Sequence, residues 1–121
     1  MSLLTNKNIV VIGGTTGLGL SAAKAFVAAG AKVVVVGRSE ASMHSAKDIL
    51  GENALAIAAD AILPETTAHA IESCIDQFGS FDGLYHVAGG SGRKMGDGPL
   101  HELSIEGWNK TFELNLTSLM L

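Results

Sequence analysis

The chain has 121 residues, of which 47% are hydrophobic and 17% are charged, and its net charge is −4 at pH 7. This length allows a single small domain, and the composition is typical of a globular protein and not of a disordered one. The acidic balance argues against binding to nucleic acid or to an anionic membrane surface, because both need a basic protein surface.

Apolar runs and helical patterns alternate along the chain, with glycines between them. The continuous apolar runs are typical of strands that are covered on both faces, and Gly30 and Gly79 are expected to end helices. Residues 89–99, which are rich in glycine, are predicted to form a loop. The predicted elements are, in chain order, a strand over 7–12, a helix over 18–29, a strand over 31–36, a helix over 40–50, a strand over 54–59, a helix over 64–78, a strand over 82–88 and a helix from residue 105 onward.

The spacing of apolar residues predicts which face of each helix is buried. In the third helix Cys74 is expected to be a buried packing residue, and as the only cysteine it excludes an internal disulfide and a cysteine-based zinc site. The residues predicted to face inward are Leu18, Ala22, Ala25, Phe26 and Ala29 in the first helix and Ala46, Ile49 and Leu50 in the second.

Targeting and metal-binding signals are missing from the sequence. The N-terminus lacks the basic and then apolar pattern of a signal peptide, and no apolar run approaches the roughly 20 residues that span a bilayer. The four histidines are too scattered for a helical or hairpin metal motif. We therefore expect a cytoplasmic protein with no membrane attachment and no metal site.

The alternation of strands and helices predicts an α/β fold, with a doubly wound parallel sheet and helices on both of its faces. Ligands of such sheets bind beyond the carboxyl ends of the strands. Six residues that follow strand ends should therefore meet at one edge of the sheet, and they are Gly13, Gly37, Arg38, Asp60, Ala88 and Gly89.

A glycine turn between the first strand and the first helix is the main candidate for ligand binding. Its spacing is Gly13-x-x-x-Gly17-x-Gly19, which differs from the dinucleotide pattern G-x-G-x-x-G. Glycine permits positive φ and close approach of a ligand, and the helix that follows offers free N–H groups and a positive dipole end to a phosphate. The hydroxyls of Thr15 and Thr16 could bond a pyrophosphate, or could serve the turn itself.

The residues of this turn carry a resemblance to a known family. The segment 13–19, with Leu18 between its last two glycines, resembles the cofactor turn of the short-chain dehydrogenase/reductase family. Asp60, followed by Ala61, resembles the aspartate that lies beside the adenine ring in that family. The resemblance implies a Rossmann-like fold and a nicotinamide dinucleotide bound along segment 13–19, at Asp60 and at Ala61.

Two further motifs extend the resemblance through the second half of the chain. The segment 85–89 is similar to the Asn-Asn-Ala-Gly signature of the family, keeping Ala88 and Gly89 but placing His86 and Val87 at the two asparagines. The segment 106–116 resembles the helix that bears the asparagine of the catalytic tetrad, which is Asn115 in this chain. The resemblance thus implies cofactor contacts at Ala88 and Gly89 and a catalytic role for Asn115.

The end of the second strand predicts which dinucleotide is bound. Folds that bind NAD usually place an acid about 20 residues after the glycines, where it bonds the ribose 2′-hydroxyl. Gly37 occupies that place here and Arg38 follows it, so a cation can attract a 2′-phosphate and no carboxylate repels it. We predict a preference for NADP(H), with NAD(H) as the weaker cofactor; the alternative is that Arg38 is a solvated surface residue.

One motif that the family resemblance implies, the catalytic Tyr-x-x-x-Lys, is missing from residues 1–121. The resemblance implies hydride transfer between nicotinamide and a small carbonyl or alcohol substrate, with a tyrosine in a Tyr-x-x-x-Lys motif as the proton donor or acceptor. The only tyrosine here is Tyr85, and Gly89 stands four places later. We therefore expect residues 1–121 to be the N-terminal dinucleotide-binding part of a single domain, truncated after about four strands and inactive alone.

Truncation at this point would leave surfaces uncovered. The fourth strand would be a sheet edge, and Trp108, Phe112 and Leu119 would form an apolar patch, so we expect homo-oligomers or self-association. Two other functions remain open from the residues alone. One is a nucleotide-binding or regulatory module without catalysis, and the other, which the glycine spacing disfavours, is a methyltransferase-type domain that binds S-adenosylmethionine.

Overall fold

The structure, a computed structural model, describes residues 3–89, 99, 101–102 and 104–120. Most of the predicted loop at 89–99 lies outside these residues. The strands are β1 (Asn8–Ile12), β2 (Lys32–Gly37), β3 (Ala54–Ala58) and β4 (Gly83–His86). The helices are α1 (Gly17–Ala28), α2 (Glu40–Leu50), α3 (Pro64–Phe78), α4 (Ile105–Phe112) and α5 (Ser118–Met120); a π-helical turn (Glu113–Thr117) joins the last two, and a short 3-10 turn (Gly51–Asn53) follows α2.

The four strands form one parallel sheet in the order β3-β2-β1-β4. The chain builds outward from β1 through β2 to β3 and then returns to the other side of β1 with β4. In open α/β sheets such a reversal of strand order creates a crevice at the carboxyl ends of the two strands that flank it. The topology therefore places the candidate site above the ends of β1 and β4.

Helices cover both faces of the sheet, as the sequence predicts. On one face, Ala23 of α1 and Ala46 of α2 pack in a cluster with Val11, Val33 and Val35. On the other face, Ala70 and Cys74 of α3 pack with the alternate strand residues. Because successive strand residues point to opposite faces, the valine run of β2 contributes to both clusters. The α/β, doubly wound parallel sheet is confirmed, and Cys74 is fully buried.

The predicted inward faces of two helices are partly wrong. In α1 the buried residues are Gly19 and Ala23, and Leu18 is 79% exposed. Small residues let α1 approach the sheet closely. The residues that contact the sheet are therefore Gly19 and Ala23, each one position after the predicted Leu18 and Ala22. In α2, Ala46 and Leu50 are buried as predicted, whereas Ile49 is 52% exposed.

The end of β4 also differs from the prediction, which extended this strand to Ala88. The strand ends at His86 because the next two N–H groups, of Val87 and Ala88, both donate to the Ile12 carbonyl, at 2.8 and 3.0 Å. Two donors converging on one acceptor end the regular ladder and turn the chain across the top of β1. This turn brings Ala88 and Gly89 over the glycine turn.

Candidate functional site

A cavity of about 460 Å³ lies at the carboxyl ends of the strands. Its volume falls within the range of small-molecule and cofactor pockets. Each strand end contributes to it, and Leu114 and Ser118 close it from the C-terminal helical segment. All eleven residues that the sequence assigns to cofactor binding line this cavity: Gly13, Thr15, Thr16, Gly17, Leu18, Gly19, Arg38, Asp60, Ala61, Ala88 and Gly89.

The glycine turn is held tightly between two strands. The N–H groups of Gly13 and Gly14 both donate to the Val36 carbonyl, at 2.8 and 3.0 Å, which ties the turn to the end of β2. Gly13 has φ +88°, and a Cβ on it would lie 2.6 Å from the Ala88 nitrogen. Gly17 has φ +53°, and its absent Cβ would meet no protein atom within 4 Å. The turn is therefore crowded on its strand side and open at Gly17.

The first turn of α1 presents an anion-binding environment to the cavity. Thr16 precedes the helix with extended backbone, its side chain makes no capping hydrogen bond, and no acidic residue lies in the first turn. The initial N–H groups of the helix thus lack a side-chain cap, and the dipole places positive charge at this end. A phosphate or pyrophosphate group is the ligand that this arrangement suits.

A cation stands at the end of β2, on the rim of the cavity. Arg38 is exposed, and it makes no ion pair within the described ranges. Beside it, the Ser39 hydroxyl accepts the Ser42 N–H at 3.2 Å and caps α2. Both serines also line the cavity, which the sequence did not indicate. This corner of the cavity combines an unpaired guanidinium with hydroxyl groups at a helix start.

Asp60 is oriented by its own backbone turn. Its Oδ1 accepts the Ile62 N–H at 3.1 Å, and its carbonyl accepts the Thr66 hydroxyl at 2.6 Å. These bonds fix the segment between β3 and α3, so that Asp60 and Ala61 both face the cavity. The aspartate therefore serves the turn as well as lining the site.

Asn115 lies beside the cavity and is not part of its lining. It sits in the π-helical turn, where its Nδ2 donates to the Thr111 carbonyl at 2.9 Å. A Cβ on Gly89 would lie 2.6 Å from the Asn115 Oδ1, so the amide rests against the backbone that follows β4. Departures from regular α-helix of this kind often occur at functional sites.

Ser118 is a cavity residue that sequence reasoning missed. It is 2% exposed, its hydroxyl donates to the Leu114 carbonyl at 2.7 Å, and its Oγ lies 3.3 Å from the His86 Nε2. A serine three residues after Asn115 gives no signal in sequence, because the contact depends on a histidine 32 positions earlier.

His86 ties the end of β4 to this helical segment. Partial burial lowers the pKa of its imidazole, and a hydrogen bond with the Ala88 backbone opposes that shift. Desolvation is the larger cause, so the neutral ring is favoured relative to a solvated histidine. A neutral imidazole can still share a hydrogen bond with the Ser118 hydroxyl.

Within ranges 3–89, 99, 101–102 and 104–120, no group of three histidine, cysteine or acidic side chains could hold a metal ion. None of the helices in the same ranges combines the length and the apolar character needed to cross a membrane.

The chain is similar in sequence to proteins of one family. The sequence model of the family described as short chain dehydrogenase matches residues 7–121. Among curated proteins, the chain is 34% identical to 2,5-dichloro-2,5-cyclohexadiene-1,4-diol dehydrogenase LinX of Sphingobium indicum, covering 98% of this chain and 47% of that protein. It is 31% identical to 3-oxoacyl-[acyl-carrier-protein] reductase FabG of Vibrio cholerae, covering 96% of this chain and 46% of the reductase.

Solved structures give the same result. A short chain dehydrogenase from Bacillus anthracis superposes with a TM-score of 0.85 at 27% identity, over 97% of this chain and 47% of the other. A short-chain type dehydrogenase/reductase from Mycobacterium ulcerans superposes with a TM-score of 0.86 at 31% identity, over 97% of this chain and 44% of the other. The chain thus spans about half the length of these relatives. Because its sequence, its sheet and its glycine turn match those of this family, the chain belongs to the short-chain dehydrogenase/reductase family of NAD(P)-dependent oxidoreductases.

Proposed function

We propose that residues 1–121 form the NADP(H)-binding part of a short-chain oxidoreductase that transfers hydride between nicotinamide and a small carbonyl or alcohol compound. The observation that carries the proposal is the meeting, in one cavity, of the uncapped α1 N-terminus and of Arg38, which makes no ion pair with the residues that the structure describes. In this proposal the chain is the N-terminal portion of a single domain, and the rest of that domain supplies the catalytic tyrosine and lysine.

The backbone of the cavity supports the proposed dinucleotide ligand. Any side chain on Gly13 or Gly19 would strike neighbouring backbone atoms, whereas the space over Gly17 is open for a ligand. We assign the pyrophosphate to the first turn of α1 with Thr16, because the Thr16 side chain does not cap this helix start and leaves its N–H groups to a ligand. Asp60 and Ala61 would border the adenine, and Ala88 and Gly89 the nicotinamide ribose. The bound cofactor supplies or accepts the hydride.

Arg38 should determine the preference between the two dinucleotides. A hydrogen bond to a charged group contributes about 1.5–3 kcal/mol, which is roughly ten- to hundredfold in affinity. We expect Arg38→Ala to weaken NADPH binding by that factor and to leave NADH binding nearly unchanged. Titration of both reduced cofactors, followed by their fluorescence, measures the two dissociation constants.

A matched control is Lys24→Ala, which removes an exposed cation of α1 that does not line the cavity. This variant should bind both cofactors like the parent chain. Equal affinities of the parent for NADPH and NADH would contradict the proposed preference.

Asn115 is proposed as the catalytic residue that this chain contributes. Its support is its place in the π-helical turn, against Gly89 and next to the cavity-lining Leu114. Because the 121 residues contain no Tyr-x-x-x-Lys motif, we propose that they bind cofactor without turning over substrate. The second candidate, a nucleotide-binding module without catalysis, predicts the same behaviour. The source gene distinguishes them: only an oxidoreductase would encode that motif beyond codon 121.

We propose that the protein is cytoplasmic. We also propose that the isolated chain self-associates through an exposed apolar surface. The residues of the predicted patch, Trp108, Phe112 and Leu119, are 43–57% exposed, and Leu116 of the π-helical turn is 57% exposed. Exposed apolar surface of this kind favours association. We expect light scattering to give a mass above that of one chain, and Leu116→Lys with Leu119→Lys to lower it. Ile49→Lys, at an equally exposed position on α2, is the control. A parent chain that is monodisperse at 12.4 kDa would contradict this proposal.

A further inference from the structure

Thr15 of the glycine turn packs directly over Gly37 at the end of β2. Thr15 is 6% exposed. A Cβ built on Gly37 would overlap the Thr15 Oγ1 and would lie 2.9 Å from both its Cβ and its Cγ2. Gly37 does not have a positive φ, so the backbone would accept another residue. The obstacle to a side chain at position 37 is therefore the threonine.

The obstacle cannot move aside at low cost. Threonine is branched at Cβ, and all three of its heavy side-chain atoms crowd the same point, so a change of rotamer leaves the Cβ contact in place. The turn is held by the bonds of Gly13 and Gly14 to Val36, and the Gly37 carbonyl accepts the Ala59 N–H at 2.9 Å. Both partners are thus anchored to the sheet, and a side chain at 37 would have to displace one of the two segments.

Position 37 is where an acid would bond the ribose 2′-hydroxyl of NAD. We propose that Thr15 is a specificity-determining residue, because it closes position 37 to any side chain and so excludes the carboxylate that would favour NAD(H) and repel a 2′-phosphate. Arg38 then acts on the cofactor without an opposing charge beside it. Because specificity is the difference between two affinities, excluding a group that would bind NAD(H) and repel NADP(H) shifts the preference toward NADP(H). The inference rests on the proposed NADP(H) preference.

Four chains test this inference: the parent, Gly37→Asp, Thr15→Gly and the double variant. We expect Gly37→Asp alone to lower the Tm by about 5 °C or more, since crowding in a packed region is destabilising. It should also weaken the binding of each cofactor at least tenfold. The double variant should regain most of that Tm and bind NADH at least tenfold more tightly than Gly37→Asp alone does. The inference would be overturned if the single variant Gly37→Asp kept the parent's Tm and bound NADH tightly.

A second set of variants, a double-mutant cycle of Gly37→Ala and Thr15→Gly, separates this inference from the proposed function. Gly37→Ala introduces a side chain without charge, so its Tm loss and the recovery of that loss by Thr15→Gly report packing alone. We expect the two substitutions to be non-additive, as is usual for residues in contact. Additive effects would overturn the role of Thr15, whereas equal affinities of the parent for NADPH and NADH would contradict the proposed function.

Discussion

Gly19→Ala is expected to abolish cofactor binding and to destabilise the fold. A Cβ at this position would overlap the Gly13 carbonyl oxygen and would lie 2.7 Å from its carbon and 3.0 Å from the Gly14 Cα. These are backbone atoms of a turn that is bonded to β2, so the helix and the turn must separate. Separation removes the first turn of α1 from the cavity that it lines. We expect at least a hundredfold weaker NADPH binding and about 1–3 kcal/mol lower stability.

Fluorescence titration with NADPH and urea unfolding measure these two effects. The matched control is Gly79→Ala, at the end of α3, where φ is +95° and the new Cβ would meet no atom within 4 Å. This control should lose about 1–2 kcal/mol for a left-handed residue and should keep the parent's affinity for NADPH. If Gly19→Ala binds NADPH as the parent does, the close packing of turn and helix is not required for the site.

Ile12→Ala is expected to cause the largest loss of stability among single core substitutions. Ile12 is fully buried at the end of β1, in the cluster that α3 covers. Its truncation removes buried methyl groups and leaves a cavity that the surrounding strands cannot close. Substitutions of this kind cost about 2–5 kcal/mol, a large part of the roughly 5–15 kcal/mol that stabilises a domain.

The midpoint of urea unfolding, at an unchanged slope, measures the loss. Ile49→Ala makes the same chemical change on α2, at a residue that is 52% exposed, and should shift the stability by no more than about 0.5 kcal/mol. Similar losses for the two variants would contradict the distribution of burial described for β1 and α2.

Local features of the chain were predictable because they depend on neighbouring residues. Strand runs and the glycines at helix ends, Gly30 and Gly79, involve residues within a few positions of each other. The convergence of Gly13, Arg38 and other strand-end residues also followed, since parallel strands align their carboxyl ends at one edge. Such features depend on local residues and on the order of the elements, and not on how the elements pack.

The errors arose where close packing decides the outcome. Leu18 was expected in the core, yet it is exposed because small residues bring the next face of α1 against the sheet. Ile49 was predicted to be buried and is exposed, because the face of α2 that packs inward runs through Ala46 and Leu50. The early end of β4 depends on two N–H groups that share the Ile12 carbonyl.

The α/β alternation, the family resemblance and the glycine turn can be inferred from the residues alone, because burial patterns and turn residues lie in short segments. The folded structure adds that Thr15 closes position 37, that Ser118 meets His86, and that a π-helical turn bounds the cavity. The first two of these findings concern residues that are more than 20 positions apart in the chain and yet lie within contact distance of each other. Such distances follow from the register of the sheet and the approach of its helices, which no short segment encodes.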